Sequence, residues 1–350
     1  MKKNIAILFG GKSSEYEVSL SSSYALLSNI DTEKYNLYKI GITKDGLWYL
    51  FEGDIEEIRL DTWHKNEGIS PLLISPDNGR GVISFVRGSA TEEVKLDAVF
   101  PMLHGKFGED GQIQGMFSVM GVPVVGCGPA SSAVCMDKAM TKAIVRETQI
   151  RQANSVTMRA GDDAEACADA AEAKLGYPMF VKPCCAGSSV GISKVRNRSE
   201  LLHAMDVALK EDSKLLIEEM ISGCEIEVAV LEENGKYTVS RPAEIDVGSS
   251  DFYDYETKYI SDASSYYIPA RLSEEKTNEV RGYAERIFRA LDCRSFSRVD
   301  FFYTPEGSFV FNEINTIPGF TPISMYPKLM INSGISYSEL IDRLITSAIR

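Results

Sequence analysis

The residues best suited to do chemistry lie near the end of the chain, between Arg298 and Gly319. Two runs rich in Val, Phe and Tyr flank Pro305-Glu306-Gly307, and a glycine beside a polar residue supplies the positive φ that a tight turn needs. If the last two of these residues form a two-residue loop, Asp300 lies directly opposite Glu313. The stretch therefore predicts a β-hairpin with two carboxylates facing each other.

The expected hairpin gathers three oxygen ligands on one face. Side chains alternate along a strand, so Arg298 shares a face with Asp300, and Glu313 shares the partner face with Asn315. Two such carboxylates repel by about 4 kcal/mol at an effective dielectric near 20, and a hard cation removes that cost. Carboxylate and amide oxygens suit magnesium or manganese, particularly where the metal also holds phosphates. The alternative is a solvated strand face on which Arg298 neutralises one acid.

Two loops are expected to position substrates against this hairpin. Residues 4–9 form a continuous apolar strand, and a Gly-Gly-Lys-Ser-Ser segment then leads into a helix that begins near Glu15. The glycine spacing fits neither a P-loop nor a dinucleotide fingerprint. Residues 35–43 and 96–105 continue the α/β layer, the second ending in a loop that starts with His104-Gly105. Because ligand loops leave the carboxyl ends of strands in open α/β sheets, both loops are expected to face one crevice.

The middle of the chain predicts a flap over phosphates. Residues 121–128 are expected to form a short buried strand, followed by the first domain boundary. A helix opening at Asp137 carries Lys138. Two later strands flank the loop 184–191, whose Gly and Ser residues can wrap an anion with backbone N–H groups, and Lys182 stands at its base. A P-loop would run into a helix, so this strand–loop–strand pattern indicates a flap; a flexible hairpin tip is the alternative.

The following segments predict a nucleotide edge and a lid. Residues 214–220 form an apolar strand ending in two acids, and a short connector leads to the next strand, an ordinary place for adenine to pair with main chain. Residues 247–269 are long, irregular and rich in Ser, Asp, Phe and Tyr, which is typical of a lid. A helix over 273–291 precedes the hairpin, and the last helix begins with a capping box at Ser336.

Composition restricts the class of protein. A chain of 350 residues is expected to form two or three domains. Its net charge of -13 argues against nucleic-acid binding and against an anionic membrane surface. The N-terminal apolar run is too short for a signal peptide, and no stretch approaches a membrane span. Seven scattered cysteines form neither a disulfide framework nor a zinc spacing, so a cytoplasmic protein is expected.

Together these features describe ATP used as a phosphoryl donor without P-loop or protein-kinase signatures. Eight blocks follow one another along nearly the whole chain: GGKSSEYEVSLSS, LHGKFGEDGQIQG, MDKAMTK, KPCCAGSSVGISK, EEMISGCEIEVAV, FYDYETKY, SRVDFF and NEINTIPGFT. In these blocks the chain resembles the D-alanine:D-alanine ligases, members of the ATP-grasp carboxylate–amine ligases. The resemblance implies an α/β, three-domain ATP-grasp fold: a Rossmann-like (pre-ATP-grasp) domain at 1–127, a central subdomain at 128–217 and a C-terminal subdomain at 218–350. It also implies a homodimer.

The resemblance further implies a reaction and the residues that perform it. In that family ATP phosphorylates the carboxylate of one D-alanine, and the amine of a second D-alanine attacks the acyl phosphate to give a peptidoglycan precursor. Two magnesium (or manganese) ions are implied at Asp300, Glu313 and Asn315. Arg298 and the N–H of Gly319 would stabilise the oxyanion, by about 3 kcal/mol for each well-placed donor.

The remaining roles follow from the same resemblance. Glu15 would receive the ammonium of the first substrate and form a hydrogen-bonded triad with Ser188 and Tyr259, and His104 would contact that substrate. The resemblance implies that eight residues contact ATP through their side chains or backbone: Lys138, Lys182, Ser189, Glu218, Glu219, Ile221, Glu225 and Lys258.

The second substrate is the open point of the resemblance. Tyr259 is present, whereas relatives that make D-alanyl-D-lactate lack that lid tyrosine. Met325 follows Ser324 where D-alanine:D-serine ligases tend to carry a basic residue, and an apolar side chain suits a methyl group. D-alanine is therefore expected. Several blocks nevertheless resemble the D-serine enzymes, so a D-alanine:D-serine ligase remains an alternative, as does a non-catalytic nucleotide-binding regulator.

Overall fold

Three β-sheets carry the fold in the computed structural model, which describes residues 2–75, 79–187, 190–246 and 265–349. The first sheet has the order β6-β5-β4-β3-β2-β1-β7, and β1 pairs in parallel with β2 and β7. Its strands are β1 (Lys3–Gly10), β2 (Tyr35–Ile42), β3 (Trp48–Phe51), β4 (Ile69–Ile74), β5 (Val82–Arg87), β6 (Ala90–Lys95) and β7 (Ala98–Pro101). Helices α1 (Tyr16–Asn29), α2 (Ile55–Arg59) and α3 (Gln112–Met120) and a 3-10 turn at Trp63–Lys65 belong to this part of the chain.

The first sheet confirms the expected opening of the chain. Residues Ile5 to Phe9 are all fully buried, as a continuous apolar run in a parallel sheet requires. The strand predicted over 121–128 is wrong, because Val124 forms only an isolated bridge to Val99. Gly121 and Gly126 have positive φ values, and Pro123 has no N–H for a ladder, so this segment cannot extend as a strand.

The second sheet has the order β10-β9-β11-β8 and is antiparallel throughout. Its strands are β8 (Ser155–Arg159), β9 (Met179–Pro183), β10 (Ser193–Val195) and β11 (Lys214–Glu219). The chain reaches it through α4 (Pro129–Met136), α5 (Lys138–Val145) and a 3-10 turn at Arg146–Thr148, and α6 (Ala164–Lys174) and α7 (Arg198–Glu211) connect its strands. Strands β9 and β10 form the predicted hairpin around the loop 184–191, hereafter the flap.

The third sheet has the order β15-β14-β12-β16-β17, with β13 paired to β12. Its strands are β12 (Cys224–Glu233), β13 (Lys236–Val239), β14 (Ala243–Asp246), β15 (Ser265–Tyr267), β16 (Phe296–Tyr303) and β17 (Phe309–Asn315). Helix α8 (Glu274–Ala290) precedes β16, and α9 (Met325–Asn332) and α10 (Tyr337–Ile349) close the chain. The Ser273 side chain caps α8, and the Ser336 hydroxyl accepts from the Glu339 N–H at the start of α10, as predicted.

The β16–β17 hairpin places Asp300 opposite Glu313, although its turn differs from the predicted one. Thr304 to Ser308 form the connection, in which the Thr304 N–H donates to the Ser308 carbonyl. The two-residue loop is therefore wrong. A bulge between Asp300 and Phe301 leaves Asn312 as the extra residue on β17 and restores the expected pairing of the two acids.

One hydrophobic core joins the first sheet to the end of the chain. Phe100 on β7 lies 6.1 Å from Phe296 and 6.0 Å from Phe320 between ring centroids. Tyr326 packs on the same group, 5.4 Å from Phe296. This aromatic cluster fixes the loop after β17 against the carboxyl end of β7.

The described residues contain neither a helix that could span a membrane nor a disulfide bond. In the ranges that the structure describes, no helix is long and apolar enough to cross a membrane. All seven cysteines are free thiols, and four of them are buried.

Candidate active site

Three carboxylates face one another across the middle of the third sheet. The register pairs Glu227 on β12 with Asp300 on β16, and Asp300 with Glu313 on β17. Asp300 is fully buried, and Glu227 is 3% exposed. Single carboxylate oxygens of Glu225, Glu227 and Asp300 all lie within 4.8 Å of one another. Like charges placed directly opposite on adjacent strands are unfavourable, so this acidic row needs nearby positive charge.

Arg298 provides part of that charge. Its Nε donates to Asp300 Oδ1 at 2.8 Å and its Nη2 to Asp300 Oδ2 at 2.7 Å, a bidentate pair. The same Nε lies 3.1 Å from Oε2 of Glu227. Asn315 donates from Nδ2 to Asp300 Oδ2 at 3.0 Å. Thus the predicted ligands Asp300 and Asn315 do meet, and Arg298 also neutralises one acid, as the alternative interpretation expected.

A second group of charges lies on the neighbouring sheet. The carboxylate of Glu218 on β11 accepts from Lys142 Nζ and from Lys182 Nζ, each at 2.6 Å. Burial would raise the pKa of Glu218, but the two ammonium groups outweigh it and hold the pKa at about 2. Burial would also lower the pKa of Lys182, yet Glu218, with Glu313 and Glu225 nearby, raises it. The Lys182 amine therefore stays charged beside the acidic row.

The donor chemistry of these two groups fits a divalent cation. Every candidate ligand offers oxygen, from carboxylates or from the amide of Asn315, which is what magnesium and manganese prefer. Among the described residues of these two groups, five carboxylates stand against three cationic side chains, an excess of two negative charges. The five acids are Glu218, Glu225, Glu227, Asp300 and Glu313, and the cations are Lys142, Lys182 and Arg298.

The flap reaches from the second sheet to the start of α1. Lys138, the first residue of α5, donates from Nζ to the Ala186 carbonyl at 2.8 Å. A Cβ on Gly187 would lie 2.3 Å from Oε2 of Glu15, so the flap backbone rests against that carboxylate. Four predicted site residues lie outside the described residues: Ser188, Ser189, Lys258 and Tyr259. The predicted triad with Glu15 stays a prediction.

Glu15 lies in a buried acidic pair. It occupies the N-cap position of α1 without a side-chain capping bond, and it is 7% exposed. Glu109 accepts from the Gly105 N–H at 2.8 Å and from the Ile317 N–H at 3.1 Å. Burial, followed by the charge of Glu15, raises the pKa of Glu109 to about 8. Glu109 therefore takes up a proton more readily than an exposed glutamate does, because it is buried close to Glu15.

His104 is a bridge between the first sheet and the segment after β17. Its Nδ1 lies 3.0 Å from the Ile317 carbonyl and its Nε2 lies 3.0 Å from the Ser22 hydroxyl. Burial lowers its pKa to about 4, so the ring is neutral. Both ring nitrogens are engaged within the protein, and the ring is 4% exposed. A direct contact between His104 and a substrate would therefore require one of these bonds to break.

The predicted second-substrate residues lie at the start of α9. The Ser324 hydroxyl accepts from the Thr321 N–H at 3.0 Å and lies 2.8 Å from the Thr321 hydroxyl. A Cβ on Gly319 would come within 2.8 Å of that same oxygen, so the loop closes tightly around Ser324. Met325 is half-buried and packs against the main hydrophobic core.

The residues of the predicted nucleotide edge lie at the end of β11, in the connector and at the start of β12, and their contact with ATP stays a prediction. Ile221 is half-buried in the connector between β11 and β12, and Glu225 is buried at the start of β12. Glu219 accepts from the Asn154 N–H at 2.7 Å, which ties its carboxylate to main chain. Glu218 points to the two lysines, so any contact that it makes with adenine would come from its backbone.

Sequence reasoning did not assign three of these charged residues: Glu109, Lys142 and Glu227. The alternation of Glu225 and Glu227 on one strand was a usable signal for Glu227, and the spacing of Lys138 and Lys142 on one helix was a signal for Lys142. Glu109 lies in the quoted HGKFGEDG block, but its partner Ile317 is 208 positions away.

Comparison with known families gives two matches that together span most of the chain. Residues 4–127 match the family described as "D-ala D-ala ligase N-terminus", and residues 144–346 match "D-ala D-ala ligase C-terminus".

Individual relatives are similar over their full length. The D-alanine–D-alanine ligase of Clostridium novyi is 46% identical, covering 100% of this chain and 98% of its own. That of Caldicellulosiruptor bescii is 45% identical over 99% and 95%. Among solved structures, the VanG D-Ala:D-Ser ligase of Enterococcus faecalis has a TM-score of 0.91 at 43% identity, covering 99% of this chain and 100% of its own. The D-alanine-D-alanine ligase of Coxiella burnetii has a TM-score of 0.87 at 34% identity over 99% and 94%.

Proposed function

Because this chain belongs to the D-alanine–D-alanine ligase family, we propose that the site described above joins two D-alanines at the cost of ATP, through a D-alanyl phosphate. The chain is an ATP-dependent ligase of the ATP-grasp fold, and its product is a precursor of peptidoglycan. The observation that carries the assignment of this site is the row of Glu227, Asp300 and Glu313 beside Lys182 and Arg298.

Activation of the first carboxylate needs positive charge around the phosphates of ATP. Lys138 bonds to the flap backbone and Lys182 precedes the flap on β9, and both are assigned to that role, with Lys258 from the lid. Asp300, Glu313 and Asn315 are assigned to hold two magnesium ions. Bound there, magnesium supplies charge that offsets the transferring phosphoryl group. Glu219 and Ile221, with the backbone of Glu218, border the adenine in this proposal, Glu225 meets the ribose, and Ser189 in the flap meets the phosphates.

Amide formation needs a fixed acceptor for the first ammonium and donors for the oxyanion. Glu15 is a buried carboxylate, which suits an ammonium partner, and the flap that would close on it carries Ser188. Tyr259 of the lid completes this triad in the proposal. Arg298 and the Gly319 N–H are assigned to the oxyanion, and His104 positions the segment that contains Gly319.

The direct test is product analysis. Incubation with ATP, magnesium and D-alanine is expected to release phosphate and D-alanyl-D-alanine in equal amounts. Asp300→Asn is expected to lower kcat by more than about 100-fold, because it removes a charge from the proposed ligand set. Asp292→Asn is the matched control, since that side chain is 86% exposed and lies away from the site. No turnover with D-alanine, while another acid and amine react, would reject the proposal, and a non-catalytic regulator would show no ADP formation with any substrate.

D-serine as the second substrate is the other candidate, and a specific observation supports it. The VanG D-Ala:D-Ser ligase has a TM-score of 0.91 at 43% identity, close to the 46% identity of the D-alanine relative. Met325 favours D-alanine, because a thioether side chain gives a D-serine hydroxyl only a weak partner. With D-alanine and D-serine mixed in equal amounts, we expect D-alanyl-D-alanine to exceed D-alanyl-D-serine; the reverse ratio would assign the chain to the D-serine class.

The proposal also covers the compartment, the domain bounds and the oligomeric state of the enzyme. It uses ATP and a soluble amino acid, so we place it in the cytoplasm. We propose domains at 1–127, 128–217 and 218–350, and a homodimer, which sedimentation of the purified chain tests directly.

A further inference from the structure

Glu227 is the acid of the central row that the proposed function leaves without a role. It lies between Asp300 on β16 and Ala243 on β14 in the ladder, and only 3% of it is exposed. A buried carboxylate is costly unless it is paired. The structure pairs it with Arg298, whose Nε lies 3.1 Å from Oε2.

Asp300 is the strongest partner of Arg298, and it is also a proposed metal ligand. In the structure its guanidinium is held by both oxygens of Asp300, at 2.8 and 2.7 Å. The proposed function uses Asp300 for magnesium, and a carboxylate shared with a divalent cation has less negative charge to offer an arginine. The Arg298 side chain is only 13% exposed, so water cannot replace the lost partner. A buried arginine without a carboxylate would be destabilised and would lose its fixed orientation.

We propose that Glu227 is a positioning residue for Arg298: it anchors the guanidinium from the β12 side while Asp300 is engaged with the metal. This inference rests on the proposed function and adds to it a residue that acts on the oxyanion step through Arg298. Glu227 contacts no reacting atom in this scheme. Its carboxylate keeps the planar donor group aimed at the place where charge develops.

The scheme predicts which kinetic constants change. Glu227→Gln keeps the shape of the side chain and removes its charge. We expect kcat for D-alanyl-D-alanine to fall by about 10- to 100-fold, the range typical of lost supporting contacts around a functional group. The magnesium concentration at half-saturation and the KM for ATP are expected to change by less than about threefold, because Glu227 is not a metal ligand in this scheme.

Glu244→Gln is the matched control. Glu244 is also a buried glutamate of the third sheet, 6% exposed, and it is paired with an arginine, Arg271. It faces Ile226 in the ladder and therefore lies on the opposite side of the sheet from Glu227. Its substitution is expected to change the melting temperature without changing kcat at a temperature where the variant is folded.

A double-variant experiment with Arg298 distinguishes a positioning role of Glu227 from a merely structural one. Arg298→Lys keeps the charge but cannot bridge two carboxylates with a planar fork. The losses in kcat from Arg298→Lys and Glu227→Gln are expected not to multiply in the double variant. Should Glu227→Gln fail to fold, Glu227→Asp retains the charge and is expected to show the same loss confined to kcat, in milder form.

Three results would overturn the inference. These are full kcat in the folded Glu227 variant, a rise in half-saturating magnesium as large as the fall in kcat, or losses that multiply fully with those of Arg298→Lys. The second would identify a metal ligand instead. If the wild-type chain makes no dipeptide, the proposed function itself fails, so the two failures are distinguishable.

Discussion

Glu218 shows how one buried side chain sets the charge state of its neighbours. Its carboxylate is 6% exposed and binds both Lys142 and Lys182. Since its pKa is lowered from 4.5 to about 2, the folded state binds fewer protons than the unfolded state between those values. The stabilisation is therefore complete above about pH 4.5 and is lost as pH falls towards 2.

Glu218→Gln is expected to lower the free energy of unfolding by about 3 kcal/mol at pH 7, because two buried ammonium groups lose their carboxylate. Urea unfolding at pH 7 measures this loss. Glu219→Gln, one position along β11, is the control, since its amide oxygen can still accept from the Asn154 N–H. Equal losses in the two variants would show that Glu218 has no special electrostatic role.

The elements of the site could be predicted from sequence where their information is local. The β16–β17 hairpin follows from alternation around a Gly-containing turn, and the pairing of Asp300 with Glu313 was predicted. The predicted two-residue turn was wrong, and the bulge that leaves Asn312 as an extra residue was not predicted, because bulges have no simple sequence signature. The shorter predicted loop and the missing bulge shift the register by one residue in opposite directions, so the pairing of Asp300 with Glu313 was predicted correctly although the loop was not.

Glu227 could not be assigned because its role depends on which strands are neighbours. Along β12 it reads as one acid in a long apolar strand. Only the pairing of β12 with β16, about 70 positions later in sequence, brings it opposite Asp300 and within reach of Arg298. Alternation gave the face of each strand, but strand order is set by long-range packing.

The position of the flap can be tested by a substitution that adds a single methyl group at Gly187. A Cβ on Gly187 would lie 2.3 Å from Oε2 of Glu15, so Gly187→Ala is expected to hold the flap away from α1. We expect kcat/KM for D-alanine to fall by about 10- to 100-fold with little change in melting temperature, as a displaced positioning loop would cause. Steady-state kinetics measures the loss.

Gly282→Ala is the control for that substitution. Gly282 lies within α8, where an added Cβ would meet nothing within 4 Å, and alanine is expected to stabilise the helix by up to about 1 kcal/mol. Its kinetics should match wild type. Unchanged kinetics in the Gly187 variant would mean that the flap does not need to rest against Glu15 during turnover.

At the scale of the whole molecule, the part of the site around His104 and Ile317 lies where the first and third sheets meet. Phe100, Phe296 and Phe320 pack together at that junction, and Glu109 and His104 both bond to the backbone of Ile317. His104 and Ile317 are 213 positions apart, so no pattern in the sequence could predict their contact. His104 follows the end of β7 and lines a cavity together with Gly10 and Gly11, as predicted, while its two internal partners appear only in the folded chain.

This junction makes stability depend on pH through His104. Its pKa is lowered from 6.5 to about 4 in the folded protein, so the unfolded state binds more protons between those values. The contribution of the neutral His104 ring to the free energy of unfolding is therefore complete above about pH 6.5, and it falls by about 3 kcal/mol as the pH drops to 4. His104→Gln removes the titrating ring. We expect this variant to be less stable than wild type at pH 7.5, because bonds to Ile317 and Ser22 are weakened, and the difference to shrink as pH falls.

Urea unfolding of both proteins from pH 7.5 to 4 measures that difference, in which contributions from all other groups cancel. His203→Gln, on the exposed side of α7, is the control and should follow wild type throughout. A constant difference between wild type and His104→Gln would show that the ring is not held neutral at the junction of the two sheets.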